Sequence, residues 1–183
     1  GPPVRPSQPK LGLSAAFGPG TDWETSNGED RYRRGLYTQW RRTTPYPSMI
    51  TFDAPSRTVC SVVRPRTNTP LQAFVTLNDP VYMEAAQALA RRIVKEGGQT
   101  VDSRLRFALR LTLGRPVDAK HLATLQELYA RERARMAQQP AEALKLATEP
   151  LGVLPKEMDA VELATWTVIA NVLLNLDGVL MKG

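Results

Sequence analysis

The chain has 183 residues, of which 42% are hydrophobic and 23% are charged, and its formal net charge is +6 at pH 7. This composition is typical of globular proteins, so a buried core can form without disulfides. One cysteine excludes an internal disulfide, and one histidine excludes a metal site built from several histidines. A membrane-spanning helix needs about 20 consecutive apolar residues. The most apolar stretch, residues 161–176, is interrupted by polar side chains, so no membrane span is predicted.

Residues 1–30 are rich in proline and glycine and poor in large apolar side chains. This composition predicts an extended arm, partly of polyproline type. Four side chains could pin the arm to the main body: Leu11, Leu13, Phe17 and Trp23. Because the chain starts with Gly1 and shows no initiator methionine or signal-like segment, we expect it to be a piece of a longer precursor.

The remaining residues, 31–183, predict one irregular, mainly α-helical domain. Tyr32, Leu36 and Trp40 recur every four residues and predict a short helix over 30–42, which Pro45 and Pro47 would end. The domain then divides into a signature segment (31–80), a helical part (81–138), a connector (139–156) and a C-terminal helix (157–177).

Proline and capping residues mark two helix starts in succession. Thr69 followed by Pro70 predicts one start, and Asp79 followed by Pro80 predicts the next. The second helix is expected to end at Gly97-Gly98. Its inward-facing residues are predicted to be Ala85, Ala88, Leu89 and Ile93.

Two further helices are predicted to form an antiparallel hairpin. Asp102 would cap a helix over 103–113, Gly114 would stop it, and Asp118 would cap a helix that runs to about Gln138. The connector could hold a short helix over 141–147, and Asp159 or Glu157 would begin the last long helix.

The segment from Thr51 to Pro80 mixes charges, amides and prolines with apolar residues, and no simple periodicity explains it. Buried polar groups are tolerated when they are paired, so this mixture predicts an ordered, hydrogen-bonded segment. Its candidate polar cluster consists of Asp53, Arg57, Cys60, Arg66, Asn68, Gln72 and Asp79.

Several chemical roles are open to these residues, and the simpler structural role is favoured for each. Asp53 and Asp79 could be an acid/base pair, but their contexts favour a turn and a helix cap. Cys60 could be a nucleophile, yet neighbouring valines favour a small buried side chain. His121 is expected on a solvated helix surface. No haem-attachment, phosphate-binding or dinucleotide motif is present, so no cofactor is predicted on this chain.

The positive charge is concentrated in the N-terminal third. Residues 1–66 hold ten Lys and Arg but five Asp and Glu, whereas residues 67–183 hold fourteen and thirteen. These arginines could bind an acidic polymer, or internal carboxylates and carbonyls could use them. The second interpretation is favoured, and nucleic acid is not, because the basic residues do not line one helix face.

Several blocks resemble the planctomycete-type secreted domain family, a domain of unknown function. They include RTNTPLQA (66–73), LNDP (77–80), RRGLYTQWRRT (33–43) and RFALRLTLGRP (106–116). The resemblance implies a secreted or periplasmic setting, at the C-terminal end of a larger protein that begins with a cytochrome-c-like domain. Any haem c would then lie on another part of that protein.

Together these features favour a non-catalytic structural and interaction module. Its partner would be the remainder of the parent polypeptide or other subunits of an envelope complex. One alternative is a hydrolase-like or carbohydrate-binding site built on the 53–79 segment. A second is the binding of acidic polymers by the basic N-terminal third.

Overall fold

The computed structural model describes residues 1–8, 23–41, 45–55, 60, 62–63, 67–115 and 118–180. Over these residues the chain is mainly helical and contains no β-strand, which confirms the predicted fold class. The chain divides into two compact units, Gly1–Val81 and Tyr82–Gly183. The sequence-based division into an arm of residues 1–30 and one domain of residues 31–183 stays a prediction.

Eight α-helices occur in the described part of the chain. They are α1 (Pro47–Thr51), α2 (Pro70–Asn78), α3 (Pro80–Glu96), α4 (Val101–Leu113), α5 (Ala119–Gln138), α6 (Pro140–Thr148), α7 (Ala160–Leu174) and α8 (Asp177–Leu180). None of the helices in these described ranges is both long and apolar enough to cross a membrane.

The first unit begins with an extended segment that pairs with the chain further on. The Val4 amide donates to the Tyr37 carbonyl oxygen at 2.8 Å, and the Gln39 amide donates to the Val4 carbonyl oxygen at 2.8 Å. Trp23 stacks on Tyr46 with ring centroids 5.6 Å apart, as expected for a residue that pins the arm. The other proposed pins, Leu11, Leu13 and Phe17, lie outside the described residues.

The predicted α-helix over 30–42 is wrong. Two short 3₁₀ helices, Gly28–Tyr32 and Gly35–Tyr37, stand in its place, with Arg33 and Arg34 extended between them. Glycine in the middle of this segment disfavours a continuous helix. In addition, Tyr32 and Leu36 are exposed, so no burial on one helical face offsets that cost.

A short helix that the sequence did not predict follows this region. Pro47 was expected to end a helix, but it occupies the first turn of α1. A proline fits there because the first helical N–H has no intrahelical acceptor, so its absence costs little.

The second unit is built around α7, which is buried on nearly all sides. Trp166 and Ile169 are fully buried, and α4, α5 and α6 all contact this helix. The Tyr129 ring lies 4.8 Å from the Trp166 ring, centroid to centroid. α4 and α5 also contact each other, in agreement with the predicted hairpin.

Most predicted helix ends of this unit are confirmed, and one is wrong. Asp118 and Asp159 cap α5 and α7 with their side chains, and Gly114 ends α4 in the left-handed region with φ 65°. Asp102, however, does not cap α4. Thr100 does, because its Oγ1 accepts from the Ser103 amide at 3.1 Å, two residues earlier than predicted.

The predicted inward face of α3 is also partly wrong. Ile93 is buried and Leu89 is half-buried, but Ala85 and Ala88 are exposed. The buried stripe instead follows Ala86, Gln87, Ala90 and Ile93. An alanine-rich helix is apolar on several sides, so the positions of its neighbours decide which side faces inward.

Candidate functional site

Two members of the candidate polar cluster, Asp53 and Gln72, belong to a connected set of hydrogen-bonded residues that we call the polar staple. Its members are Thr51, Asp53, Thr67, Thr69 and Gln72. Asp53 lies just after α1 with φ 58°, in the left-handed region, which Asp tolerates better than most residues. Its Oδ2 accepts from both the amide and the hydroxyl of Thr67, each at 2.8 Å. The turn after α1 is thereby tied to the segment that leads into α2.

Gln72 is the centre of the polar staple and is only 4% exposed. Its Nε2 donates to the Thr51 carbonyl oxygen at 2.8 Å and to Thr67 Oγ1 at 3.0 Å. Its Oε1 accepts from the Thr69 amide at 3.1 Å, while Thr69 Oγ1 accepts from the Gln72 amide at 3.3 Å. The last two bonds form a capping box at the start of α2. Both amide protons and the carbonyl of Gln72 are therefore engaged.

The Thr67 hydroxyl joins the two halves of the polar staple. It accepts from Gln72 Nε2 and donates to Asp53 Oδ2, so its single proton and a lone pair are both used. The bonds span 14 residues between Asp53 and Thr67 and 21 residues between Thr51 and Gln72. The polar staple thus fixes how α1 and α2 meet.

Asp79 lies at the C-terminal end of α2 and has a different structural role. Its Oδ1 accepts from the Val81 amide at 2.9 Å, which supports the predicted capping role at the start of α3. Burial raises the pKa of the Asp79 carboxyl, while the bond from Val81 acts in the opposite direction. The nine residues of α2 span about 13 Å. The structure therefore does not bring Asp53 and Asp79 together as an acid/base pair.

Four members of the candidate cluster remain: Arg57, Cys60, Arg66 and Asn68. Cys60 is exposed, so the expectation of a buried thiol is wrong. The neighbouring Val62 and Val63 are also exposed and supply no apolar shell around the thiol. Asn68 is exposed, and Arg57 and Arg66 lie outside the described residues.

Several arginines of the basic N-terminal third have partners within the chain. Arg5 bonds to the Gln39 side chain. Arg33 lies 3.9 Å from the centroid of the Tyr37 ring and donates to the Pro2 carbonyl oxygen at 3.3 Å. These contacts favour internal use of Arg5 and Arg33 over a free basic surface at these two residues.

Sequence reasoning missed a second buried amide, Gln87 of α3, which is fully buried. Its Nε2 donates to the carbonyl oxygens of Leu146 and Glu149, each at 2.6 Å, and its Oε1 accepts from the Leu151 amide at 2.9 Å. The signal for it was a single glutamine among alanines on a buried helix, but the sequence could not indicate its partners.

Among the residues that the structure describes, the geometry supports no other candidate chemistry. His121 is exposed on α5, as expected, and its Nδ1 lies 3.3 Å from Asp118 Oδ2. Over the ranges described above, no group of three or more His, Cys, Asp or Glu side chains is placed to hold a metal ion.

The geometry defines a helical protein whose signature segment is held by side-chain hydrogen bonds. A family model, PSD1, described as a protein of unknown function (DUF1553), matches residues 1–129. The chain belongs to this family, which confirms the domain of unknown function that the sequence blocks resembled; a planctomycete origin and an association with cytochrome c stay expectations. No curated protein and no solved structure matches the chain.

Proposed function

We propose that this chain is a non-catalytic structural and interaction module. The observation that carries the proposal is the bonding of Asp53 and Gln72 within the polar staple. A catalytic or sugar-binding group must offer a proton or a lone pair to its substrate. The Gln72 amide uses both its protons and its oxygen inside the protein, and Asp53 Oδ2 accepts two bonds.

The positions of Asp53 and Asp79 argue against the hydrolase-like alternative. Paired glycosidase carboxyl groups lie about 5–9.5 Å apart across the scissile bond. Asp53 and Asp79 act at opposite ends of α2, and each is bonded to a nearby backbone amide. Their arrangement supports local structure and gives no two-carboxylate site.

The setting of the module is also a proposal. We infer from the sequence resemblance that the parent protein is secreted or periplasmic, is of planctomycete type and carries a cytochrome-c-like domain. The module would then bind the remainder of that polypeptide or another envelope subunit. The sequence of the precursor, haem staining of the full-length protein and cell fractionation test this setting. A parent protein without a haem-attachment motif, or one found in the cytoplasm, would contradict it.

A stability measurement on Gln72→Leu tests the structural role directly. The substitution removes three side-chain hydrogen bonds, each worth about 0.5–1.5 kcal/mol, so we expect the free energy of unfolding to fall by about 2–4 kcal/mol. Leu71→Ala, one residue earlier on an exposed part of α2, is the matched control and should change it by less than about 0.5 kcal/mol.

An activity measurement on the same protein tests the alternative. Wild type and Asp53→Asn are incubated with a panel of neutral and acidic polysaccharides, and reducing ends and binding are measured. The proposal expects neither turnover nor binding. It fails if wild type acts on or binds a polysaccharide and Asp53→Asn abolishes this while it stays as stable as wild type.

A further inference from the structure

Residues 4–7, with the sequence Val-Arg-Pro-Ser, lie as an extended peptide in a groove formed by later parts of the chain. We call residues 4–7 the bound segment. The groove consists of residues 23–26, residues 37–39 and Tyr46, and we call it the arm groove. Both belong to the first compact unit.

The arm groove bonds to the main chain of the bound segment on both edges. On one edge the Val4 amide donates to the Tyr37 carbonyl oxygen, and the Val4 carbonyl oxygen accepts from the Gln39 amide. On the other edge the Arg5 amide donates to Ser26 Oγ at 2.9 Å, and the Ser26 amide donates to the Arg5 carbonyl oxygen at 2.8 Å. Strand addition binds an extended peptide in this way, with affinity provided by main-chain hydrogen bonds.

Two aromatic side chains continue this pattern along the bound segment. Trp23 Nε1 donates to the Pro6 carbonyl oxygen at 2.7 Å, and the Tyr46 hydroxyl donates to the Ser7 carbonyl oxygen at 2.8 Å. The two rings also stack on each other. Four successive carbonyl oxygens of the bound segment therefore each accept a hydrogen bond from the arm groove. Pro6 fits because it has no N–H that would need an acceptor.

The side chains of the bound segment define the class of ligand. Val4 is only 2% exposed, whereas the three residues that follow it are half-buried. Arg5 Nε donates to Gln39 Oε1, a neutral acceptor. Pro3 and Pro6 have the P-x-x-P spacing that is typical of peptides bound in aromatic-lined grooves. The arm groove thus fits an extended peptide with an enclosed apolar residue two positions before a proline.

The contacts of the bound segment are those of a short peptide ligand. Six main-chain hydrogen bonds and one enclosed valine side chain hold it. Because the segment is part of the same chain, its effective concentration at the arm groove is on the order of a millimolar. A free peptide of the same kind must compete with it, and the apparent affinity of that peptide falls by the fraction of grooves already filled.

We propose that the arm groove is a binding site for an extended, proline-containing peptide of a partner protein, and that residues 4–7 occupy it as a built-in competitor. The inference rests on the proposed function, because it names the surface and the class of partner through which the interaction module acts. Release of the bound segment is the step that opens the arm groove to the partner.

A labelled peptide with the sequence of residues 2–8, PPVRPSQ, tests this proposal by fluorescence anisotropy with the full chain. Val4→Asp in the protein puts a charge at an enclosed position and weakens the bound segment. This variant should bind the peptide at least about tenfold more tightly than wild type. Val153→Asp, the matched control, changes an exposed valine and should bind the peptide as wild type does. A second control is the same peptide with aspartate in place of its valine, which should not bind.

A pair of tyrosine variants locates the binding. When combined with Val4→Asp, Tyr46→Phe removes the hydroxyl that donates to the Ser7 carbonyl oxygen and should weaken peptide binding by about 2–10-fold. Tyr32→Phe is the matched control, because Tyr32 is exposed and lies outside the arm groove, and it should change nothing. Circular dichroism and unfolding midpoints show whether the variants fold.

A measurement on wild type applies even if Val4→Asp does not fold. Unlabelled peptide is added to the ¹⁵N-labelled chain to about 5 mM, above the effective concentration of the bound segment. The Val4 and Arg5 amide signals should move, because the peptide takes the place of these residues.

Four results would overturn the proposal. Folded Val4→Asp would bind the peptide no more tightly than wild type, or Tyr46→Phe and Tyr32→Phe would have equal effects. The Val4 and Arg5 signals would stay unchanged in the titration. Lastly, sedimentation velocity would show a wild-type dimer that excess peptide dissociates, since a second copy would then fill the arm groove. None of these results touches the structural role of Gln72, which fails independently if Gln72→Leu is as stable as wild type.

Discussion

Replacing Gln87 by methionine removes the side-chain amide that holds the chain between α6 and α7 while keeping a similar volume. In α6 the Leu146 carbonyl would normally accept from the amide of residue 150, but residue 150 is a proline and has no N–H. Gln87 Nε2 supplies the missing donor and also reaches the Glu149 carbonyl, while Gln87 Oε1 accepts from Leu151.

The magnitude follows from these three bonds. Each contributes about 0.5–1.5 kcal/mol net, so Gln87→Met should lower the free energy of unfolding by about 2–4 kcal/mol. The expected loss stays below the cost of three fully buried unpaired groups, because the partner residue Glu149 is exposed and Leu146 and Leu151 are half-buried. Urea unfolding followed by circular dichroism measures the change, provided that the m-value is preserved.

Gln138→Met is the matched control, because Gln138 is an exposed residue of α5. It should change the free energy of unfolding by less than about 0.5 kcal/mol. If Gln87→Met were within about 1 kcal/mol of wild type, water would be replacing the amide, and Gln87 would not be needed to hold residues 146–151.

Three further predictions concern charge and exposure. Burial raises the folded-state pKa of Asp79 above its ordinary value of 3.8. The folded state therefore binds the proton more readily, so wild type should gain stability relative to Asp79→Asn as the pH falls from neutral to below 3.8. Equal pH profiles of the two proteins in urea unfolding would contradict this. Arg104→Met leaves Glu162 without its partner at a site where the two side chains are 12% and 27% exposed, and should cost about 1–3 kcal/mol in the same assay. Arg92→Met breaks the exposed pair with Glu96 and should cost less than about 1 kcal/mol. If Arg92→Met and Arg104→Met cost the same, burial does not determine the strength of these pairs. The exposed Cys60 should react fully with a thiol-specific disulfide reagent without denaturant, and protection of the thiol until unfolding would place it in the interior.

The starts and ends of helices could be predicted because their signals are local. Thr69 before Pro70, Asp118 and Asp159 each accept a backbone N–H within three residues, and Gly114 takes a left-handed conformation that few other residues tolerate. Because such interactions form between residues within one helical turn, they do not depend on what packs against the helix.

The sequence predicted that the candidate site consists of paired polar groups, but it did not predict which residues pair. Its mixture of amides and charges predicted paired polar groups, and Asp53 and Gln72 are paired. The residue that joins them, Thr67, was not singled out, because the bonds link positions 14 and 21 residues apart. Cys60 was expected to be buried on the strength of its valine neighbours, but adjacent apolar residues do not bury a side chain unless another element covers them.

The sequence by itself determined the helical class, most helix boundaries, the family and the polar character of the Thr51–Pro80 segment, because composition, capping and turn chemistry act over a few residues. Tertiary structure alone decided which helix faces are buried, with Gln72 and Gln87 inside and Leu71 and Phe74 outside. Burial depends on the elements that surround a residue, and a buried amide is stable where distant backbone groups meet its hydrogen-bonding needs.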